Sequence, residues 1–448
     1  MIDLLIIADD FTGALDTAVQ FARKSICTSV FLYKDFQFSA IDPKTQVVII
    51  DTESRHISGK EAASRVKQIV NVALGAGVKA FYKKTDSVLR GNIGSELVGL
   101  MEARGAAELM FIPAFPDAGR TTRGGCQYID GVPINETTFA DDPVNPVVDC
   151  RIEQIISKQS NIPVLAVSRE ERLNIDNELI DGRRIYVFDV EDNDDMKQIA
   201  KLLCEMGKTA LTAGCAGFAG MLPDMLGLNR GVDQRLKEKL EGEGFEGERL
   251  EDDKSEMGEP EEAKYRGKML TVCGSMSEVS LRQVRYAKEH GFCSLVLNSN
   301  QKLTQDYSLT DDGRSFIAQV AAKIDEGSDV IIAAAESAED RVEHLGNPGL
   351  VTCNIAGIVK GVIEKTDLET ITVIGGDTAV AIVDDMGLQD IRPRCEISTG
   401  VVLSDAVAQG KRISLITKSG GFGQEDSLLK IKEFAKSLKN EIVGGPNG

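Results

Sequence analysis

The chain has 448 residues, 42% of them hydrophobic and 27% charged, enough for full cores in two or three domains. A formal charge of −19, few aromatics and no Trp exclude a basic face for a phosphate backbone and a stacking platform for bases, so no nucleic-acid partner is expected. A small anionic substrate stays compatible if local Arg and Lys outweigh the overall field.

Nine cysteines, odd in number and without a C-x-x-C pair, read as reduced thiols of a cytosolic protein. The chain enters a strand without a basic leader or cleavage pattern, and no apolar run approaches a membrane span. The expectation is a cytoplasmic protein with no membrane partner.

Asp3–Ala8 reads as a strand buried on both faces, ending at Asp9-Asp10, with Thr12, Gly13 and a helix from about Ala14 behind it. Strand ends form the ligand crevice of an open parallel sheet. Two adjacent carboxylates there repel each other and lose water, which suits a functional site. A simple strand-to-helix turn, capped by Asp10 or Thr12, fits the same residues.

Strands at Thr28–Tyr33, Gln46–Asp51, Lys79–Lys83, Leu109–Pro113, Pro163–Ser168, Arg184–Asp189 and Thr209–Ala213 alternate with amphipathic stretches such as Gly59–Leu74, Ile93–Arg104 and Asp192–Met206. That alternation predicts βαβ units and a parallel sheet flanked by helices. After the third strand, Asp51-Thr-Glu-Ser-Arg55-His56 offers an Arg able to grip a carboxylate, or an ordinary surface loop. After the fourth, Lys84, Thr85, Asp86, Ser87, Arg90 and Asn92 crowd many donors into one turn, suited to a carboxylate or phosphate; a solvated turn capped by Asp86 or Ser87 is the plainer alternative. Pro113–Thr122 could bring Arg120 to the same mouth or form a proline-bracketed loop. Beyond it Gln127–Ile129, Asp130-Gly131 and Val132–Ile134 predict a hairpin. The three histidines lack metal-ligand spacing, and no nucleophile elbow is present.

Residues 236–264 are acidic, Gly-spotted and poor in apolar side chains, the composition of a linker or surface insertion. They separate a first domain at 1–235 from a second at 265–448. The second resumes with strands at Met269–Cys273, Ser294–Asn298, Asp329–Ala334, Thr370–Ile374, Glu396–Leu403 and Ile413–Thr417, and helices at Glu278–Glu289, Asp312–Asp325, Thr352–Glu364, Thr378–Met386 and Asp426–Lys439. Three of its strand ends carry glycine or small-residue turns: Gly274-Ser275, Gly375-Gly376-Asp377-Thr378 and Gly420-Gly421. Such turns before helices are anion sites, and three in one domain point to a nucleotide. Neither a Walker A loop nor a G-x-G-x-x-G fingerprint follows a strand.

The pieces ADDFTGALDTAVQFA, Glu53-Ser-Arg55, KTDSVLRGN, PAFPDAGRTTRGG, GGDTA and KSGGFG, in this order over nearly the whole chain, resemble the four-carbon acid sugar kinases. The resemblance implies an acid-sugar-binding first domain, a nucleotide-binding second domain and an active-site cleft between them. It further implies ATP-dependent phosphorylation of D-threonate, D-erythronate or 3-oxo-tetronate at the C4 hydroxyl. The first motif favours the threonate and erythronate members. In family terms an Asp of Asp9-Asp10, Arg55 and the Lys84–Ser87 segment hold the acid, while Ser275, the Gly375–Thr378 turn and Gly420 hold ATP.

The mechanism expected from these readings pairs Arg55, with Lys84 or Arg90, to the substrate carboxylate. Asp10, or else Asp9 or Asp86, accepts the hydroxyl proton, and Mg²⁺ bridges the phosphates. No metal-ligand set is readable. Partners are the sugar acid and ATP, and a homodimer stays open. Two other classes compete: an aspartyl-phosphate phosphatase, which lacks the second Asp its chemistry wants at position 12, and a non-catalytic sensor.

Overall fold

The structure, a computed structural model, describes residues 2–142, 145–172, 182–228, 269–340, 349–368, 370–408 and 411–443. The chain divides into two compact units, Met1–Glu248 and Arg249–Gly448. The acidic segment 236–264 lies outside the described residues.

In the first unit the sheet strands are β1 (Leu4–Ala8), β2 (Thr28–Leu32), β3 (Val47–Asp51), β4 (Ala80–Lys84), β5 (Glu108–Ile112), β9 (Val164–Val167), β10 (Arg184–Phe188) and β11 (Leu211–Gly214). They run in the order β2-β3-β1-β4-β11-β5-β10-β9, and every neighbouring pair is parallel. The central strands β1, β3 and β4 are buried at every position, β1 and β3 as runs of Val, Ile and Leu between two helical layers must be, and β4 with Lys83 and Lys84 inside. Leu97 and Leu100 of helix α3 (Ile93–Arg104) and Val66 and Ile69 of α2 (Gly59–Gly75) pack on Leu5, Ile7, Val48 and Ile50.

The connection from β1 leaves toward β2, while that from β4 leaves the opposite way toward β5. Adjacent strands whose connections diverge open a crevice at their carboxyl ends, and here that crevice lies between Asp9-Asp10 and Lys84–Asp86.

The second unit has β12 (Leu270–Cys273), β13 (Cys293–Val296), β14 (Val330–Ala333), β15 (Thr370–Ile374), β16 (Gln389–Ser398), β17 (Val401–Ala408) and β18 (Lys411–Lys418), ordered β13-β14-β12-β15-β18-β17-β16. Its first four strands repeat the arrangement of β1–β4, so its own crevice falls between β12 and β15. Pairing is parallel up to β18 and antiparallel from there.

Two readings need correction, one is met and one strand is added. Glu396–Leu403 is not one strand: a two-residue turn at Thr399-Gly400, with Gly400 at φ 74°, folds it into the β16–β17 hairpin. Helix α1 (Phe11–Ala22) begins directly after Asp10 instead of near Ala14. The expected Gln127–Ile134 hairpin forms, as β7 (Cys126–Ile129) and β8 (Val132–Pro133), with Asp130 and Gly131 both at positive φ as a tight hairpin turn demands. A third strand that composition hid, β6 (Arg120–Arg123), pairs with β7. Among the described residues no helix is long and apolar enough to cross a membrane.

Candidate active site

Asp10 occupies the N-cap position of α1 but makes no capping bond through its side chain. Its carboxylate instead accepts Arg55 Nη2 at 2.6 Å, while Asp9 accepts Arg55 Nε at 2.8 Å. Asp86 stands 3.5 Å from the same guanidinium. Burial works against the Arg55 charge, and Asp10, Asp9 and Asp86 outweigh it, so the group is held firmly cationic. Burial likewise pushes Asp9 up, but Arg55, Lys83 and Lys84 bring it below the usual carboxylate range. Asp9 Oδ1 is buried without a hydrogen bond.

Lys84 closes the other side. A Cβ built on Gly13 would fall 2.4 Å from Lys84 Nζ and 2.5 Å from Asp10 Oδ1. Glycine there is what lets the ammonium lie against the first turn of α1. Lys84 is 4% exposed, and among the described residues it makes no hydrogen bond or ion pair. The neighbouring Thr85 hydroxyl is also buried and unpartnered. An unpaired buried ammonium beside an unpaired buried hydroxyl is costly unless a ligand completes both.

The second unit builds a different kind of cradle. Gly274 and Ser275 donate their N–H groups to Ile374, and Gly375 donates to Lys418, which draws three strand ends together. Gly375 has φ 112°, open only to glycine. A Cβ on Gly274 would meet Thr378 Oγ1 at 1.8 Å, and one on Gly420 would meet Ser275 Oγ at 2.2 Å. Ser277 and Ser280 pin the last turn by donating to the Gly420 carbonyl at 2.5 and 2.8 Å. The result is one helix start, Gly376–Asp385 behind Gly375, flanked by the Gly274-Ser275 and Gly420 turns, a setting suited to phosphate.

Residues 4–222 match the family described as a sugar-binding N-terminal domain, and residues 270–428 the one described as a nucleotide-binding C-terminal domain. The chain is 30% identical to a D-threonate kinase of Salmonella typhimurium, covering 97% of this chain and 99% of that protein. The chain belongs to the four-carbon acid sugar kinase family. A D-erythronate kinase of Heliobacterium modesticaldum is 34% identical over 45% of this chain and 48% of its own length. A 3-oxo-tetronate kinase of Methylobacterium radiotolerans is 24% identical over 94% of this chain and 96% of that protein. The fold is shared with a solved structure from Salmonella typhimurium LT2, with TM-score 0.74 at 19% identity over 96% of this chain and 99% of that one.

Within this four-carbon acid sugar kinase the expected site residues sort by contact. Asp9, Asp10, Arg55, Lys84 and Asp86 converge, as do Ser275, Gly375, Thr378 and Gly420. The Arg90 guanidinium donates to both oxygens of Asp86 and reaches Asp142. The Asn92 amide donates to the carbonyls of Ser54 and Ile57 and so holds the Arg55 loop. Neither Asp86 nor Ser87 caps α3; Asn92 takes the N-cap position. Of Ser87 the carbonyl is engaged, by Gln127. Arg120 donates to the Ala118 carbonyl, and burial lowers its pKa while Asp130, Asp86 and Cys215 oppose that. Gly376 and Asp377 form the first turn behind Gly375, with Asp377 exposed, and a Cβ on Gly421 would meet open space.

Sequence reading missed the layer beneath: Thr52, Ser54, Lys83 and Glu96, all buried. Glu96 carried a signal, an acid among Ile93, Leu97 and Leu100 on the apolar stripe of α3.

Proposed function

We propose that this chain transfers the γ-phosphoryl group of MgATP to the C4 hydroxyl of a four-carbon sugar acid, D-threonate first and D-erythronate next, with 3-oxo-tetronate as the alternative acceptor. The observation that carries the assignment of the acid to the first unit is Lys84, a buried ammonium with no protein partner beside three carboxylates and Arg55. A substrate carboxylate supplies the acceptor that Lys84 lacks, with Arg55 Nη1, which has no hydrogen bond among the described residues, as a second donor. The full-length likeness to a D-threonate kinase supports the order of substrates.

The nucleotide's phosphates take the N–H groups at the start of the helix Gly376–Asp385 and of the Gly420 turn, since those of Ser275 and Gly375 already bond the Ile374 and Lys418 carbonyls. Mg²⁺ comes on the phosphates of the nucleotide as part of the substrate. Asp10, anchored by Arg55 through one oxygen, keeps the other to orient the C4 hydroxyl and accept its proton as the new P–O bond forms. Direct transfer requires the hydroxyl oxygen and the γ-phosphorus to come into line within bonding reach.

A coupled ADP assay with MgATP and each of D-threonate, D-erythronate and the 3-oxo acid tests the reading. ADP formed only with an acid, and a product whose phosphorus couples to C4 in NMR, are expected. Phosphate release without ATP would make the protein a phosphatase, and binding of both ligands without turnover a sensor.

A further inference from the structure

Beneath Arg55 runs a chain of polar groups to which the mechanism above gives no task. The Glu96 carboxyl, fully buried on α3, is hydrogen-bonded through Oε1 to the Ser54 hydroxyl. Ser54 Oγ lies 2.6 Å from Thr52 Oγ1, and Thr52 Oγ1 lies 2.6 Å from the Ala8 carbonyl. Each of these three oxygen–oxygen contacts needs a proton in it. Ser54 and Thr52 bring one hydroxyl proton each, and a carbonyl brings none. The third has one source, Glu96.

With Glu96 as the neutral acid the chain closes: Glu96 donates to Ser54, Ser54 to Thr52, and Thr52 to the Ala8 carbonyl. With Glu96 ionised, one contact at hydrogen-bond distance would set lone pairs against lone pairs. Glu96 Oε2 is buried, with Lys83 Nζ 3.3 Å away. Lys83 favours the ionised form there and burial works against it, since an ionised oxygen loses far more on leaving water; the proton count of the Ser54–Thr52 chain decides between them. The charged groups facing Glu96 are Lys83 from β4 and Asp9 from the end of β1. Burial is foremost in raising the Glu96 pKa, Lys83 opposes it, and Asp9 adds to it. The Lys83 ammonium donates to the carbonyls of Ile7 and Lys84, and the charge that answers it is Asp9.

Glu96 thus touches Ser54 and Lys83, the residues just before the two cations of the crevice, Arg55 and Lys84. We propose that Glu96 is a positioning residue of the sugar-acid site, a neutral acid whose proton runs through Ser54 and Thr52 to fix the loop that carries Arg55. The site's name rests on the function proposed above; the proton count does not.

Two measurements test this. Infrared difference spectra between the parent protein and Glu96→Gln near neutral pH should show loss of a carboxylic-acid carbonyl band. Loss of a carboxylate band in its place overturns the proposal, and this reading needs no substrate. In kinetics, Glu96→Gln should keep KM for the acid within about twofold, because its amide donates to Ser54 as the acid does. Glu96→Ala and Ser54→Ala should each raise that KM roughly tenfold, the worth of about one lost buried hydrogen bond, with KM for ATP unchanged. A Glu96→Gln enzyme as impaired as Glu96→Ala shows that the negative charge is what matters. Unchanged KM in both alanine variants removes the positioning role. If the parent turns over none of the acids, the proposed function fails while the infrared result still decides the proton.

Discussion

Arg90 folds back on Asp86, with Nε 2.9 Å from one carboxylate oxygen and Nη2 3.0 Å from the other. This two-bond pair, four residues apart in the β4–α3 loop, makes Arg90 a brace for the crevice wall. Burial raises the Asp86 pKa, and Arg90 and Arg55 outweigh it, so its carboxyl stays well below the usual range.

Arg90→Ala should therefore cost stability more than substrate affinity. It leaves a buried carboxylate with the backbone N–H of residue 90 at 3.1 Å and Arg55 at 3.5 Å. The loss should be about 2 kcal/mol, below the value for a fully buried pair because Arg90 is partly exposed. Denaturant unfolding measures it. Unaltered stability with a large rise in KM for the acid would return Arg90 to the role of substrate ligand.

Lys84→Met keeps the length of the side chain and removes its charge. KM for the sugar acid should rise roughly 10- to 100-fold, the worth of one charge-assisted hydrogen bond, with KM for ATP unaffected. Steady-state kinetics with each substrate varied in turn separates the two constants.

Asp10→Asn retains an oxygen for Arg55 Nη2 but cannot accept the hydroxyl proton. The kcat should fall about 100-fold or more while KM for either substrate moves little. An unchanged kcat transfers the role to Asp9 or Asp86, and the same substitution at each would then identify the base.

Gly420→Ala puts a methyl 2.2 Å from Ser275 Oγ. The turn and the serine must part, and the N–H groups offered to phosphate go with them. Nucleotide affinity, read by titration calorimetry with ADP, should weaken at least about tenfold from the loss of a single such bond. Sugar-acid affinity in the same variant should match the parent.

Lys418 is 1% exposed and donates to its neighbour's carbonyl, Ser419, at 2.9 Å. Burial pulls its pKa down to about 8, with Cys273 opposing. In the unfolded chain the lysine keeps its usual value near 10.4. Between those values the unfolded state binds more protons, so stability rises with pH through the window; below about 8 the penalty is present in full. Lys418→Met should thus stabilise the protein at neutral pH by on the order of 3 kcal/mol. The advantage over the parent should shrink toward zero near pH 10.4. Urea unfolding of both proteins at neutral pH and near pH 10 checks the sign.

The runs Leu4–Ala8 and Val47–Asp51 are apolar enough to require burial on both faces, and the helical stretches between strands force a parallel sheet. Parallel strands expose their ends at one edge, so Asp9, Arg55 and Lys84 were readable as crevice residues from order and spacing alone. The glycine turns before helices were legible for the same reason. Glu396–Leu403 misled because β-forming residues continue on both sides of Gly400, and one positive φ decides the fold-back.

Which side chains pair was beyond the sequence. Arg55 meets Asp9 and Asp10 across 45 residues, and Asn92 reaches back to Ser54 and Ile57. Four cations looked equivalent in the sequence, and only the packing leaves Lys84 unpaired while Arg90 is bound to Asp86. Composition and periodicity act along the chain, so they determined the strands, their ends and the chemistry gathered there. Charge pairing and proton sharing depend on distances of a few ångströms between remote segments, and only the tertiary structure decided those.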